Sequence, residues 1–80
     1  MPEVRLFGGL REAADGAESI QLEGTTIREL LEDLARKYPN LRDRIKSIAV
    51  SIDGTIYRDD WEQPIPEDAE VGLLVRIAGG

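Results

Sequence analysis

The sequence predicts an α+β domain: one mixed β-sheet with one main helix packed on one of its faces. Three observations carry that expectation. Ile27, Leu30, Leu31, Leu34 and Tyr38 recur at the spacings of a single helical face. Asp53-Gly54 sits between two β-type runs as the two-residue turn of a hairpin. The run from Glu70 to Ile77 is the most apolar of the strand candidates, as befits a strand in the middle of a sheet.

Taken in order, Glu3 to Phe7 alternates, with Val4 and Leu6 on one face and Arg5 and Phe7 on the other, and is the first strand. Gly8-Gly9 ends it, and the stretch through Asp15-Gly16 is expected as loop or a short turn. Ser19 to Glu23 alternates again and makes a second strand, antiparallel to the first. Thr26 and Glu29 have the spacing of a capping box, in which the hydroxyl takes an orphan N–H and the carboxylate reaches back. Glu29, Glu32, Asp33, Arg36 and Lys37 fall on or near the wet side of the helix. Pro39 stops it after ~20 Å, at roughly 1.5 Å per residue.

Leu41 and Ile45 then imply one further short turn under the sheet. A type I′ turn at Asp53-Gly54 pairs Ile52 with Thr55, Ser51 with Ile56 and Val50 with Tyr57. Arg58 to Pro66 is polar and proline-bearing, with Trp61 and Ile65 as anchors over a core edge, and Glu67-Asp68 is a turn. The last strand places Val71, Leu73, Val75 and Ile77 on one face and Leu74 on the other, and is expected beside the first strand. Strand, strand, helix, hairpin, strand is the order of a β-grasp, the ubiquitin-like arrangement. Residues 1–80 are therefore expected as a single domain with a flexible tail at 78–80.

The composition narrows the function classes. Sixteen acidic side chains against ten basic ones give a net charge of −6. That balance disfavours nucleic acid and is compatible with a basic protein partner, although it also serves solubility alone. No apolar run reaches the ~20 residues of a membrane span. The start, Met1 to Arg5, lacks the basic and apolar regions of a secretory signal, and zero cysteines fit a reducing cytoplasm. With neither cysteine nor histidine there is no thiolate nucleophile, imidazole base or ordinary zinc site. Asp59, Asp60 and Glu62 could face a cation, but adjacent loop carboxylates are more often a solvated charge run. An independent enzyme is not expected.

The tail Ala78-Gly79-Gly80 is the candidate working end. Glycine has no Cβ, so such a tail can lie extended in a slot too narrow for other residues. Three extended residues reach ~10 Å, enough to deliver the Gly80 carboxylate into another protein's active site. That carboxylate is ionised near neutrality and resists nucleophiles until activated, most simply as an acyl-adenylate. A terminal Gly-Gly taken alone can equally be a frayed end or a cloning remnant; its weight comes from following a strand in a β-grasp order.

The sequence resembles the MoaD/ThiS family of sulfur-carrier proteins. The matching stretches are Val4 to Phe7, Leu10-Arg11-Glu12, Thr26 to Leu31, Val50 to Thr55, and Asp68 through Gly80. Val75-Arg76 stand where a proline pair is usual in the MoaD branch, a departure from that branch's pattern. The resemblance implies a β-grasp fold and a Gly80 adenylated by an E1-like, ATP-using enzyme, with Gly79 and Ala78 giving the tail clearance. Sulfur from a cysteine desulfurase or rhodanese-type protein then makes a thiocarboxylate for an acceptor enzyme. No cofactor is expected on this chain itself; ATP belongs to the partner. In the MoaD branch the acceptor is the large subunit of molybdopterin synthase; other branches serve thiazole, cysteine or tRNA thiolation. A permanent synthase subunit and a plain interaction module are the alternative readings.

Strand parity adds a docking surface. With Val4, Leu6, Val50, Ile52, Leu73 and Val75 toward the helix, Phe7, Ile56 and Leu74 face away from it. Three large apolar groups on an open sheet face mark an interface, unless the 58–66 loop covers them or the strand register is slipped. Arg5 and Arg76 share that face and would stand at its rim.

Overall fold

The computed structural model describes residues 3–75. Its elements are β1 (Glu3–Leu6), α1 (Gly9–Ala13), β2 (Ser19–Gln21), α2 (Ile27–Lys37), a 3-10 segment (Pro39–Ser47), β3 (Ile48–Ile52), β4 (Thr55–Tyr57) and β5 (Val71–Val75). The strands form one sheet in the order β2-β1-β5-β3-β4. β1 and β5 run parallel, with Val4 opposite Val71 and Leu6 opposite Leu73, while the other pairings are antiparallel. The last strand is therefore central, as its apolar run predicts. Ile27, Leu30, Leu31 and Leu34 of α2 are buried in one cluster with Val4, Leu6, Val50, Ile52 and Leu73. No helix among the described residues is long and apolar enough to cross a membrane.

The hairpin has the expected register, Ile52 with Thr55, Ser51 with Ile56 and Val50 with Tyr57. Asp53 and Gly54 adopt φ of 49° and 86°, the left-handed pair a type I′ turn requires. Asp53 then does a second job. Its carboxylate accepts from Glu70 N–H at 2.9 Å, and its own N–H donates to Glu70 O at 2.8 Å. The turn is thereby tied to the entry of β5.

The start of α2 is sealed from two sides. Thr26 Oγ1 accepts the Glu29 N–H at 3.3 Å, as expected of an N-cap. The Glu29 carboxylate, however, turns to Thr25, accepting its N–H at 2.8 Å and its hydroxyl at 2.9 Å. Those bonds, the backbone one foremost, hold the Glu29 carboxyl below its usual range. The other orphan donors go to the 58–66 loop: Ile27 N–H to Gln63 O at 3.0 Å and Arg28 N–H to Trp61 O at 2.8 Å. Ile65 is buried and Trp61 packs against the core, so the loop anchors are where the sequence puts them.

Four features depart from expectation. The stretch after Gly8-Gly9 contains a short helix, α1, because Leu10 is fully buried and Arg11 Nε donates to Leu6 O at 2.8 Å. Five residues are too few to show helical periodicity, and tertiary contacts hold them. The turn at Leu41 and Ile45 extends into nine residues of 3-10 segment, with Leu41 buried. Val75, expected on the buried side, is 37% exposed at the end of the described part of β5.

Asp33, expected on the wet side, is only 6% exposed. It accepts from Glu23 N–H at 2.9 Å and pairs with Arg36 and with Lys37, whose Nζ lies 3.2 Å away. Lys37 also donates to Gln21 O at 3.0 Å, so this cluster ties the end of β2 to α2. The close crossing depends on Gly24 as well, where a Cβ would fall 2.6 Å from Leu30 N. Burial pushes the Asp33 carboxyl up, but the bonds from Glu23, Arg36 and Lys37 outweigh it and set it below its ordinary value.

A stability dependence follows from that direction. The folded carboxyl titrates below the unfolded one, so its contribution is full above the unfolded value of about 3.9. It is lost as pH falls through the lower folded value. Asp33→Ala should lower the unfolding free energy in urea by about 1–3 kcal/mol at neutral pH, by leaving the Glu23 N–H without its partner. The gap to the wild type should narrow below about pH 4, and a gap that widens on acidification contradicts this assignment.

Candidate functional site

The face of the sheet opposite α2 is where the sequence places a docking surface. Register sets its layout: Arg5 lies opposite Gly72, Gly72 opposite Ser51, Ser51 opposite Ile56, and Ala49 opposite Leu74. Phe7 follows β1 directly and continues its ladder, donating its N–H to Leu73 O at 3.2 Å. Phe7 is 43% exposed and Ile56 53% exposed, while Leu74 is half-buried. The 58–66 loop does not cover this face, since its backbone bonds go to Thr25, Ile27 and Arg28 at the start of α2.

The structure brings Phe7 and Leu74 to adjacent strands but leaves Ile56 apart. Two strand spacings separate β4 from β5, about 10 Å at roughly 4.8 Å each. The three apolar groups thus form a broken row. Arg5 is exposed on the same face. Arg76, Ala78, Gly79 and Gly80, with Ile77, lie outside the described residues.

Gly72 is a residue the sequence reading passed over. A Cβ there would meet Phe7 Cε2 at 2.8 Å, so the ring lies over the glycine in the space a side chain would fill. The signal was available: a glycine inside the most apolar strand marks a close approach by a neighbour. Beside the ring an open groove of about 490 Å³ runs toward the 67–70 turn.

No group of three His, Cys, Asp or Glu side chains among the described residues is placed to hold a metal. Glu62 instead accepts from Arg28 Nε at 2.6 Å. The chain has no cysteine or histidine. What the fold and this face define is a ubiquitin-like β-grasp protein with an open sheet face.

The chain belongs to the ThiS family, whose profile matches residues 4–80. It is 30% identical over 80 residues to the molybdopterin synthase sulfur carrier subunit of Mycobacterium tuberculosis, spanning 96% of this chain and 94% of that one. Among solved structures it is similar to the small archaeal modifier protein 1 of Methanosarcina acetivorans, with a TM-score of 0.78 and 29% identity over 98% of this chain and 94% of that one. A chain of the Amycolatopsis orientalis BexX/CysO complex shares the fold, with a TM-score of 0.80 and 20% identity over 100% of both chains. Membership makes this protein a small sulfur carrier of the ThiS and MoaD type, not an enzyme.

Proposed function

We propose that the Gly80 carboxylate is the group that carries the sulfur. Its oxygen attacks the α-phosphorus of ATP on an E1-like enzyme, and pyrophosphate leaves. The terminal sulfur of a persulfide on a cysteine desulfurase or rhodanese-type protein then attacks the acyl carbon, and AMP leaves. A second thiol of the donor system cleaves the acyl disulfide so formed, supplying the two electrons, becoming a disulfide and releasing the thiocarboxylate. The resulting thiocarboxylate goes to an acceptor enzyme, in the cytoplasm. The observation that carries this reading is that the family match runs through residue 80, so Gly79-Gly80 fall inside the family's own span. Gly79 and Ala78 give the clearance that a narrow catalytic slot demands.

The open face supplies the other half of the reading. Phe7, Leu74 and Ile56, with Arg76 at the rim, dock the carrier on its partners. Such a face must be released once per cycle, which suits a short broken row of apolar groups better than a continuous one. The name of the Mycobacterium tuberculosis relative favours one more specific role, that of small subunit bound to a larger molybdopterin synthase subunit. A large subunit that co-purifies stably from the native cell would support it.

Removal of Gly79 and Gly80 should leave the fold intact, abolish ATP–pyrophosphate exchange with the cognate adenylating enzyme, and abolish the mass gain of one oxygen-to-sulfur replacement. Thiocarboxylate formation by the shortened chain would contradict the proposal. On the open face, Leu74→Asp should raise the KM for the carrier in that exchange about tenfold. Ile56→Asp, at a more exposed position, reports on the same face without a folding penalty. Normal folding with unchanged exchange in both variants would remove the face from the account.

A further inference from the structure

The open face has a polar end as well as an apolar one, and the two meet at Phe7. The groove beside the ring is bounded by Phe7, Gly72 and Ser51 on the sheet side. Its other wall is the approach to β5, with Glu67, Asp68 and Glu70, and Glu3 closes the β1 side. Glu67, Asp68 and Glu70 are all exposed, and none of their carboxylates has a partner among the described residues. Among the described residues, Arg5 is the one cationic side chain that lines the groove, and it forms no ion pair with any of them. The groove therefore presents an aromatic ring and an excess of negative charge side by side.

Both features are held in place. Gly72 makes room for the ring, because a Cβ there would fall 2.8 Å from Phe7 Cε2. The reciprocal bonds between Asp53 and Glu70 fix the approach to β5 against the hairpin turn. A ring face attracts a cation through its quadrupole, and nearby carboxylates add a direct electrostatic attraction. A neutral or anionic group would have no counterpart on the acidic wall.

We propose that the groove between the Phe7 ring and the 67–70 turn seats a lysine or arginine side chain of the adenylating enzyme. The inference rests on the sulfur-carrier reading and adds the chemistry of the partner's contact. The groove lies at the entry of β5 and Val75, the last described residue, at its exit, about 13 Å apart for four residues at roughly 3.3 Å each. Gripping both ends of one strand fixes the direction in which the tail enters the catalytic slot. An exposed ionic contact also suits a partner met afresh in each cycle, since it speeds encounter more than it slows release.

The test is ATP–pyrophosphate exchange by the cognate adenylating enzyme, with the KM for the carrier measured at low and high salt. Carrier bearing Asp68→Lys and Glu70→Lys should show a KM about tenfold higher at low salt, an unchanged kcat, and a difference that shrinks at about 0.5 M salt. A control bearing Glu32→Lys and Asp43→Lys changes the net charge equally at exposed sites away from the groove, and should stay within twofold of wild type. A groove variant within twofold of wild type, or a control impaired as much, overturns the inference while leaving the carrier reading intact. An effect confined to binding of the acceptor enzyme also overturns it. Absence of exchange with the wild-type carrier overturns both, and so is recognisably different.

Discussion

The parallel pairing of β1 with β5 is the constraint on which the rest of the structure depends. It brings β5, the last strand, into the middle of the sheet, with β3 on the other flank. Val71 and Leu73 are buried there beneath α2, in the same cluster as Val4 and Leu6. A parallel neighbour cannot be reached by a tight turn, so the helix, the 3-10 segment and the hairpin all lie between the two strands in sequence. The consequence for the proposed function is mechanical. β5 is paired on both sides, so it offers a rigid base to the terminus that follows it in the sequence.

The two faces of that sheet divide the labour. One face is filled by Ile27, Leu30, Leu31 and Leu34 and supplies the core. The other carries Phe7, Ser51, Ile56 and Leu74 and is left open. No buried polar side-chain atom among the described residues lacks a hydrogen-bond partner.

Much of the fold was legible in the sequence because its strongest signals are local. Asp53-Gly54 dictates a turn type, and the turn type dictates the register of β3 and β4. The helical face of α2 and the apolar run of β5 each declare themselves by period and composition. What was not legible depends on contacts between distant segments. Asp33 looks like a surface residue by period alone, and only the N–H of Glu23 and the two cations make its burial tolerable. The first turn of α2 looks like an ordinary capping box, yet Thr25 takes the Glu29 carboxylate and a loop thirty-odd residues later supplies the remaining acceptors. The open face was readable as parity but not as shape. Phe7 and Leu74 could be placed on one side and a glycine inside β5 signals a close approach, whereas which group approaches Gly72 and the isolation of Ile56 emerge only once the strand order is known.

If β5 is the rigid base of the terminus, its backbone should open only when the whole domain does. Native-state hydrogen exchange of the Val71, Gly72 and Leu73 amides measures this directly. Their opening free energy should equal the global unfolding free energy obtained from urea denaturation under the same conditions. Exchange of those amides through local opening, at a free energy well below the global value while α2 stays protected, would contradict it.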